Sequence, residues 1–193
     1  MLSLEESLKI LKETNALLEG HFILSSGLHS PKYVQCAKLM SRPEEALKIC
    51  TSLSEKIKKE FKEFDIILSP AIGGIVVGYE IGRLMNKETL FTERVNGKFE
   101  LRRGFEINKN HKILIVEDVI TTGKSSIECS NLAENLGAKV IGYACIIDRS
   151  DGKSNIKEKI VSQIKLNIPT FNKANLPEYL SNIKAIKPGS RNL

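Results

Sequence analysis

Apolar residues recur along this chain at helical spacing first and at strand density later. Leu4, Leu8 and Leu11 follow the capping-box pattern Ser3-Leu4-Glu5-Glu6 and predict an opening helix that runs until Gly20 breaks it. HFIL (21–24) and KYVQCA (32–37), flanking Ser25-Ser26-Gly27, predict two short strands joined by a turn, an irregular lobe able to cover a site. Ser41-Arg42-Pro43-Glu44 repeats the capping logic with proline at the first helical position. The stripe Ala46, Ile49, Cys50, Leu53, Ile57 and Phe61 then predicts a long amphipathic helix.

After residue 63 the grammar changes. DIILS (65–69), HKILIVE (111–117) and KVIGYACII (139–147) are nearly continuous apolar runs, as expected of strands buried on both faces. Between them the pattern predicts a glycine-opened helix over 72–85, a strand over 88–92, and a helix over 125–136 stopped by Gly137. This β-α-β order implies an α/β fold with a central parallel sheet flanked by helices. One domain is expected over 1–193, with its core at about 63–150. The small N-terminal hood lobe, about 1–40, is expected to be wrapped by the tail from Ile168, which holds Pro169, Pro177 and Pro188. There is no internal repeat and no low-complexity tract.

Composition narrows the class. The 193 residues are 41% hydrophobic and 27% charged, the balance of a soluble globular domain long enough to bury a core. No apolar run approaches a membrane span, and the charged N-terminal stretch offers no signal peptide, so a cytoplasmic protein without a membrane partner is expected. Cys36, Cys50, Cys129 and Cys145 form no C-x-x-C pair and sit in apolar segments, which predicts buried free thiols. The net charge of +6 permits an anionic partner. Much of it is helix lysine (Lys56, Lys58, Lys59, Lys62) on a solvated face, and no RGG, RRM or zinc-finger pattern accompanies it, so no nucleic-acid partner is expected.

The chemistry concentrates in V-E-D-V-I-T-T-G-K-S-S (116–126). Gly123-Lys124-Ser125 looks like the end of a triphosphate-binding P-loop, but the position of that motif's first glycine holds Asp118, beside Glu117. Two carboxylates at a strand end would repel a triphosphate. They would instead accept hydrogen bonds from a sugar diol, while Thr121 to Ser126 supply hydroxyls, a glycine and a helix N-terminus suited to one phosphate. Two further segments belong near such an edge. Pro70-Ala71-Ile72-Gly73-Gly74 can form a backbone anion nest, or can serve close packing of a helix on the sheet. Residues 93–105 carry Arg94, Lys98, Arg102 and Arg103 with Gly97 and Gly104. They form either an ordinary charged hairpin or a cationic flap that neutralises a leaving group and excludes water.

Apolar strand, acid pair, three variable residues and T-G-K-S together resemble the phosphoribosyl-diphosphate signature of the type I phosphoribosyltransferases. The segment Gly20 to Val34 resembles the hood of the orotate phosphoribosyltransferases, and Lys187 to Arg191 the tail of their shorter forms, so the resemblance spans nearly the whole chain. It implies a type I phosphoribosyltransferase-like fold. It also implies transfer of a 5-phosphoribosyl group from phosphoribosyl diphosphate to orotate, giving orotidine 5′-monophosphate and diphosphate in pyrimidine synthesis. Glu117, Asp118, Val119, Ile120, Thr121, Thr122, Gly123, Lys124 and Ser125 would bind phosphoribosyl diphosphate, the acids at the ribose hydroxyls and Thr121 to Ser125 at the 5′-phosphate. Gly73 and Gly74, with Arg102 and Arg103, would serve the diphosphate, and Lys98 and Arg94 would act from the mobile loop, which in the family reaches a neighbouring subunit. Thr121, Arg149, Tyr33 and Val34 would contact orotate, where a guanidinium matches the carboxylate of the base. The resemblance further implies Mg2+ carried by diphosphate and water without a protein cage, and a homodimer. This chain departs from better-known members at Ser25 and Gly73, where they have lysine, and at Glu117, where the signature has aspartate. A purine phosphoribosyltransferase or a phosphoribosyl-diphosphate-sensing regulator of the same fold are the alternatives.

Overall fold

The computed structural model describes residues 1–24 and 26–188. Its frame is a six-stranded sheet of order β5-β4-β3-β6-β7-β8, formed by β3 (Ile66–Pro70), β4 (Glu88–Val95), β5 (Lys98–Leu101), β6 (Lys112–Ile120), β7 (Lys139–Asp148) and β8 (Ile160–Lys165). All neighbours are parallel except β4 and β5, which form an antiparallel hairpin through Asn96 and Gly97, both at positive φ. Helices α3 (Pro43–Glu60), α4 (Gly73–Met85) and α5 (Lys124–Asn135) cover the sheet. One core lies between the sheet and α3 and α4 around Leu53, Ile57, Ile67, Val77 and Ile81. The other holds Ile113, Ile115, Cys129, Ala133 and Tyr143 beneath α5. The four cysteines are buried and unpaired with one another.

The hood is the hairpin of β1 (Leu17–Ile23) and β2 (His29–Val34), and the tail lies along both of its edges. Ile23 N donates to the Ile186 carbonyl and Ile186 N to that of His21, while His29 and Phe171 exchange both backbone bonds. Two buried histidines add a side-chain clasp. The Ile183 carbonyl can only accept, so His21 Nδ1 donates to it at 2.8 Å. In the neutral pair His21 Nε2 therefore accepts from His29 Nδ1 at 2.6 Å.

Several boundaries differ from the sequence reading. The first helix, α1 (Leu4–Glu13), has the expected capping box at Ser3 but stops well before Gly20, because Asn15 takes φ 55° and the chain turns into β1. The second hood strand ends at Val34, and Cys36–Met40 form a short helix, α2. Ser41 closes that helix rather than capping the next, so Arg42 is the N-cap of α3 and makes no side-chain cap, while Pro43 stands at its first position as expected. Strand β4 continues to Val95 and β6 to Ile120, past the acid pair. Strand β8 was not foreseen. Its alternation is short and polar at Ser162 and Gln163, whose carbonyls accept from the Lys56 ammonium at 3.4 and 2.8 Å.

Candidate active site

Strand β6 delivers Glu117 and Asp118 to the carboxyl edge of the parallel sheet, level with the end of β3 and the start of α4. Side chains alternate along a strand, so the two carboxylates leave on opposite faces. Glu117 turns toward α5, where Ser126 Oγ donates to its Oε2. Asp118 turns toward α4, and its Oδ1 accepts from Val119 N at 3.0 Å. Burial raises both carboxyls above their ordinary range, Glu117 to about 7 with the neighbouring Asp118 charge adding to it and the Ser126 bond opposing it. Two acids half-removed from water, one of them only partly ionised at neutral pH, are a site prepared for hydrogen-bond donors or positive charge.

The segment read in the sequence as a phosphate cradle follows at once. Gly123, at φ 78°, is the N-cap of α5, and the N–H groups of the first helical turn have no intrahelical acceptor. Thr121, Thr122 and Lys124 are exposed, Ser125 is half-buried, and Lys124 Nζ lies 3.9 Å from Glu128. The glycine loop closes the other side. A Cβ at Gly73 would sit 2.5 Å from Asp118 Oδ2, whereas one at Gly74 would meet Pro70 and the Val116 carbonyl at 3.1 Å. The packing reading applies to Gly74, whereas Gly73 leaves room for the Asp118 carboxylate. The Ala71–Ile72 peptide is cis.

The structure sorts the four cations of residues 93–105. Arg94 donates to Glu128 at 2.5 Å and to the Gly97 carbonyl at 2.5 Å, and stacks 4.1 Å from the Phe99 ring, so it ties the β4–β5 hairpin to α5. Arg103 forms a paired bond with Glu93 at 2.7 and 2.8 Å. Lys98 and Arg102 are exposed and make no ion pair within 4 Å among the described residues. Phe105, edge-on to Phe91 at 5.1 Å, anchors the end of the segment to the sheet.

On the hood side, Cys36 Sγ lies 3.9 Å from the Asp118 carbonyl, which brings the end of β2 to the acid pair. Tyr33 packs its ring 5.7 Å from Phe22, while half-buried Val34 packs against the main core. Arg149 follows β7, its N bonded to the Ile120 carbonyl at 2.8 Å and hence next to Thr121. Its guanidinium is half-buried, and Nε is buried with no partner among the described residues. Ser25 and Arg191 lie outside the described residues. Ser126, counted in the sequence among the hydroxyls suited to a phosphate, is instead buried and holds Glu117; that bond was not legible because a hydroxyl nine residues from a carboxylate carries no signal until the strand-loop-helix turn folds them together. No group of three or more His, Cys, Asp or Glu side chains among the described residues could hold a metal.

An acid pair followed directly by a glycine-capped helix N-terminus lies at the carboxyl edge of a parallel sheet, where ligands of such folds bind. The family model described as "Phosphoribosyl transferase domain" matches residues 39–182. The orotate phosphoribosyltransferase of Parvibaculum lavamentivorans is 45% identical over 190 residues, 98% of each chain, and that of Erythrobacter litoralis 42% identical over 188 residues, 97% of each. The crystal structure of orotate phosphoribosyltransferase from Aeropyrum pernix has the same fold, with a TM-score of 0.72, 22% identity, and coverage of 82% of this chain and 92% of that one. The chain belongs to the orotate phosphoribosyltransferase family.

Proposed function

We infer that the protein transfers a 5-phosphoribosyl group from phosphoribosyl diphosphate to orotate, releasing diphosphate and forming orotidine 5′-monophosphate. The observation that carries the choice of base is Arg149: a buried Nε beside Thr121, without a partner among the described residues, suits a planar carboxylate, which purines lack. Glu117 and Asp118 accept from the ribose 2′ and 3′ hydroxyls, and Thr121 to Ser125 hold the 5′-phosphate. As diphosphate departs from C1 the sugar becomes oxocarbenium-like, and the fixed carboxylate charge stabilises that state more than the neutral ring. Lys98 and Arg102, without an ion pair among the described residues, are the cations available to the departing diphosphate, while Arg94 holds the hairpin in place. The hood strand near Tyr33, with the backbone of Val34, covers the base.

Mg2+, when bound, would be carried by the diphosphate and would supply positive charge to it. The site suits that arrangement, because it offers one acid pair and an open nest rather than a cage, and Mg2+ keeps much of its water. A homodimer is supported by an apolar face between α3 and α4, where Leu47, Ile72, Val76 and Tyr79 are 41%, 85%, 50% and 63% exposed. No helix among the described residues is long and apolar enough to cross a membrane. The unpaired buried thiols support a reducing, cytoplasmic setting.

Loss of orotate absorbance, followed with phosphoribosyl diphosphate and with or without Mg2+, tests the reading, with hypoxanthine and adenine as parallel acceptors. Mg2+-dependent consumption of orotate alone is expected. Turnover of a purine and none of orotate would overturn it.

A further inference from the structure

We propose that Ser126 is a positioning residue for the transfer reaction, bracing Glu117 against the same helical turn that cradles the 5′-phosphate. The proposal rests on the phosphoribosyl-transfer reading. Ser126 occupies the third position of α5 and is fully buried. Its Oγ donates to Glu117 Oε2, while Oε1 has no protein donor among the described residues and is the oxygen left for a sugar hydroxyl. Glutamate has one more rotatable bond than the aspartate of the signature, and a flexible carboxylate at a diol site must be held to be useful. Ser126 supplies that hold from the element whose backbone N–H groups face the phosphate. One rigid turn thereby fixes the span between phosphate grip and hydroxyl grip, as a ribose 5-phosphate requires.

The brace has an electrical consequence as well. A hydroxyl that donates to a carboxylate favours its ionised form, so removing it drives Glu117 further toward the neutral acid. The other titratable groups facing Glu117 are Asp118 beside it, Cys129 from α5 and Cys145 from β7. Burial pushes both thiols up, Cys129 to about 12, so they stay neutral across the working range and leave Asp118 and the Ser126 bond to set the state of Glu117.

The experiment compares wild type, Ser126→Ala and Ser126→Thr in the intact chain. The Ala variant is expected to lose at least tenfold in kcat/KM for phosphoribosyl diphosphate, and the acidic limb of its pH profile should move to higher pH, since kcat/KM reports the free enzyme's ionisations. Thr, which keeps the hydroxyl, should return the limb toward the wild-type position. A merely structural serine would change amplitude without moving the limb. Carboxyl 13C NMR of Glu117, identified by loss of its signal in Glu117→Gln, should show a higher titration midpoint in Ser126→Ala whether or not the enzyme turns over. Ser126→Cys, with similar volume and a poor donor, gives the same readouts if the Ala variant fails to fold. An unmoved limb and midpoint in an active enzyme would overturn the brace. A Glu117 midpoint that shifts in Ser126→Ala, together with a wild-type enzyme that transfers nothing to orotate, would overturn the transfer reading, and with it any catalytic use of the brace.

Discussion

At position 73 the site has room for hydrogen and little else. The Asp118 carboxylate occupies the volume that a Cβ would take, with both oxygens and Cγ within 2.8 Å of it. A side chain there must push the carboxylate off its place beneath the glycine loop. Gly73→Ala is therefore expected to lower kcat/KM for phosphoribosyl diphosphate at least tenfold while leaving thermal stability equal or higher, since alanine is the better helix former. Steady-state kinetics beside a melting curve check both signs, and an active Gly73→Ala enzyme would show that Asp118 does its work from elsewhere. The acid pair itself was legible in the sequence, because strand, carboxylates, glycine and hydroxyls are contiguous. Gly73 was read there as part of a backbone nest for diphosphate and as a departure from lysine, not as the space beside Asp118. The reason for it lies on strand β6, 45 positions away by number, and only the fold brings the two together.

Helix α4 shows how an element is seated by what it lacks. Gly74, Gly78 and Gly82 recur every fourth residue and so share one face, and the space beneath each is filled. A Cβ at Gly78 would meet Ser69 Oγ at 2.1 Å, and one at Gly82 would meet Thr89 Oγ1 at 1.9 Å and the Lys87 carbonyl at 3.0 Å. Close approach to β3 and β4 aims the start of the helix at Asp118. Gly82→Val is expected to reduce unfolding free energy by about 1–3 kcal/mol through overpacking, and an unchanged urea midpoint would contradict that seating. Elements announced by long apolar periodicity, such as α3, β3, β6 and β7, were readable to within a few residues. Those that depend on tertiary partners were not. Strand β8 is half polar and is stabilised by the sheet edge and Lys56, and α2 is a five-residue turn of helix pinned between α3, α4 and the acid pair.

For the molecule as a whole, the apolar face of α3 and α4 ends at the glycine loop, where Ile72 is 85% exposed beside Gly73. A second copy seated there would stiffen the loop that borders the acid pair, so association and catalysis are expected to be coupled. Val76→Lys with Tyr79→Lys should yield a folded monomer by sedimentation velocity, against a dimer for wild type, and a monomeric wild type would remove the proposal. The core topology and the hood were foreshadowed by periodicity and motif. The histidine clasp was not, because His21 and Ile183 stand 162 residues apart and only one of them offers a side-chain polar group. That separation also orders events on the ribosome. His21 is synthesised long before the carbonyl that accepts its hydrogen bond, so for most of translation the nascent polypeptide can hold β-α-β structure while the hood hairpin stays unfastened.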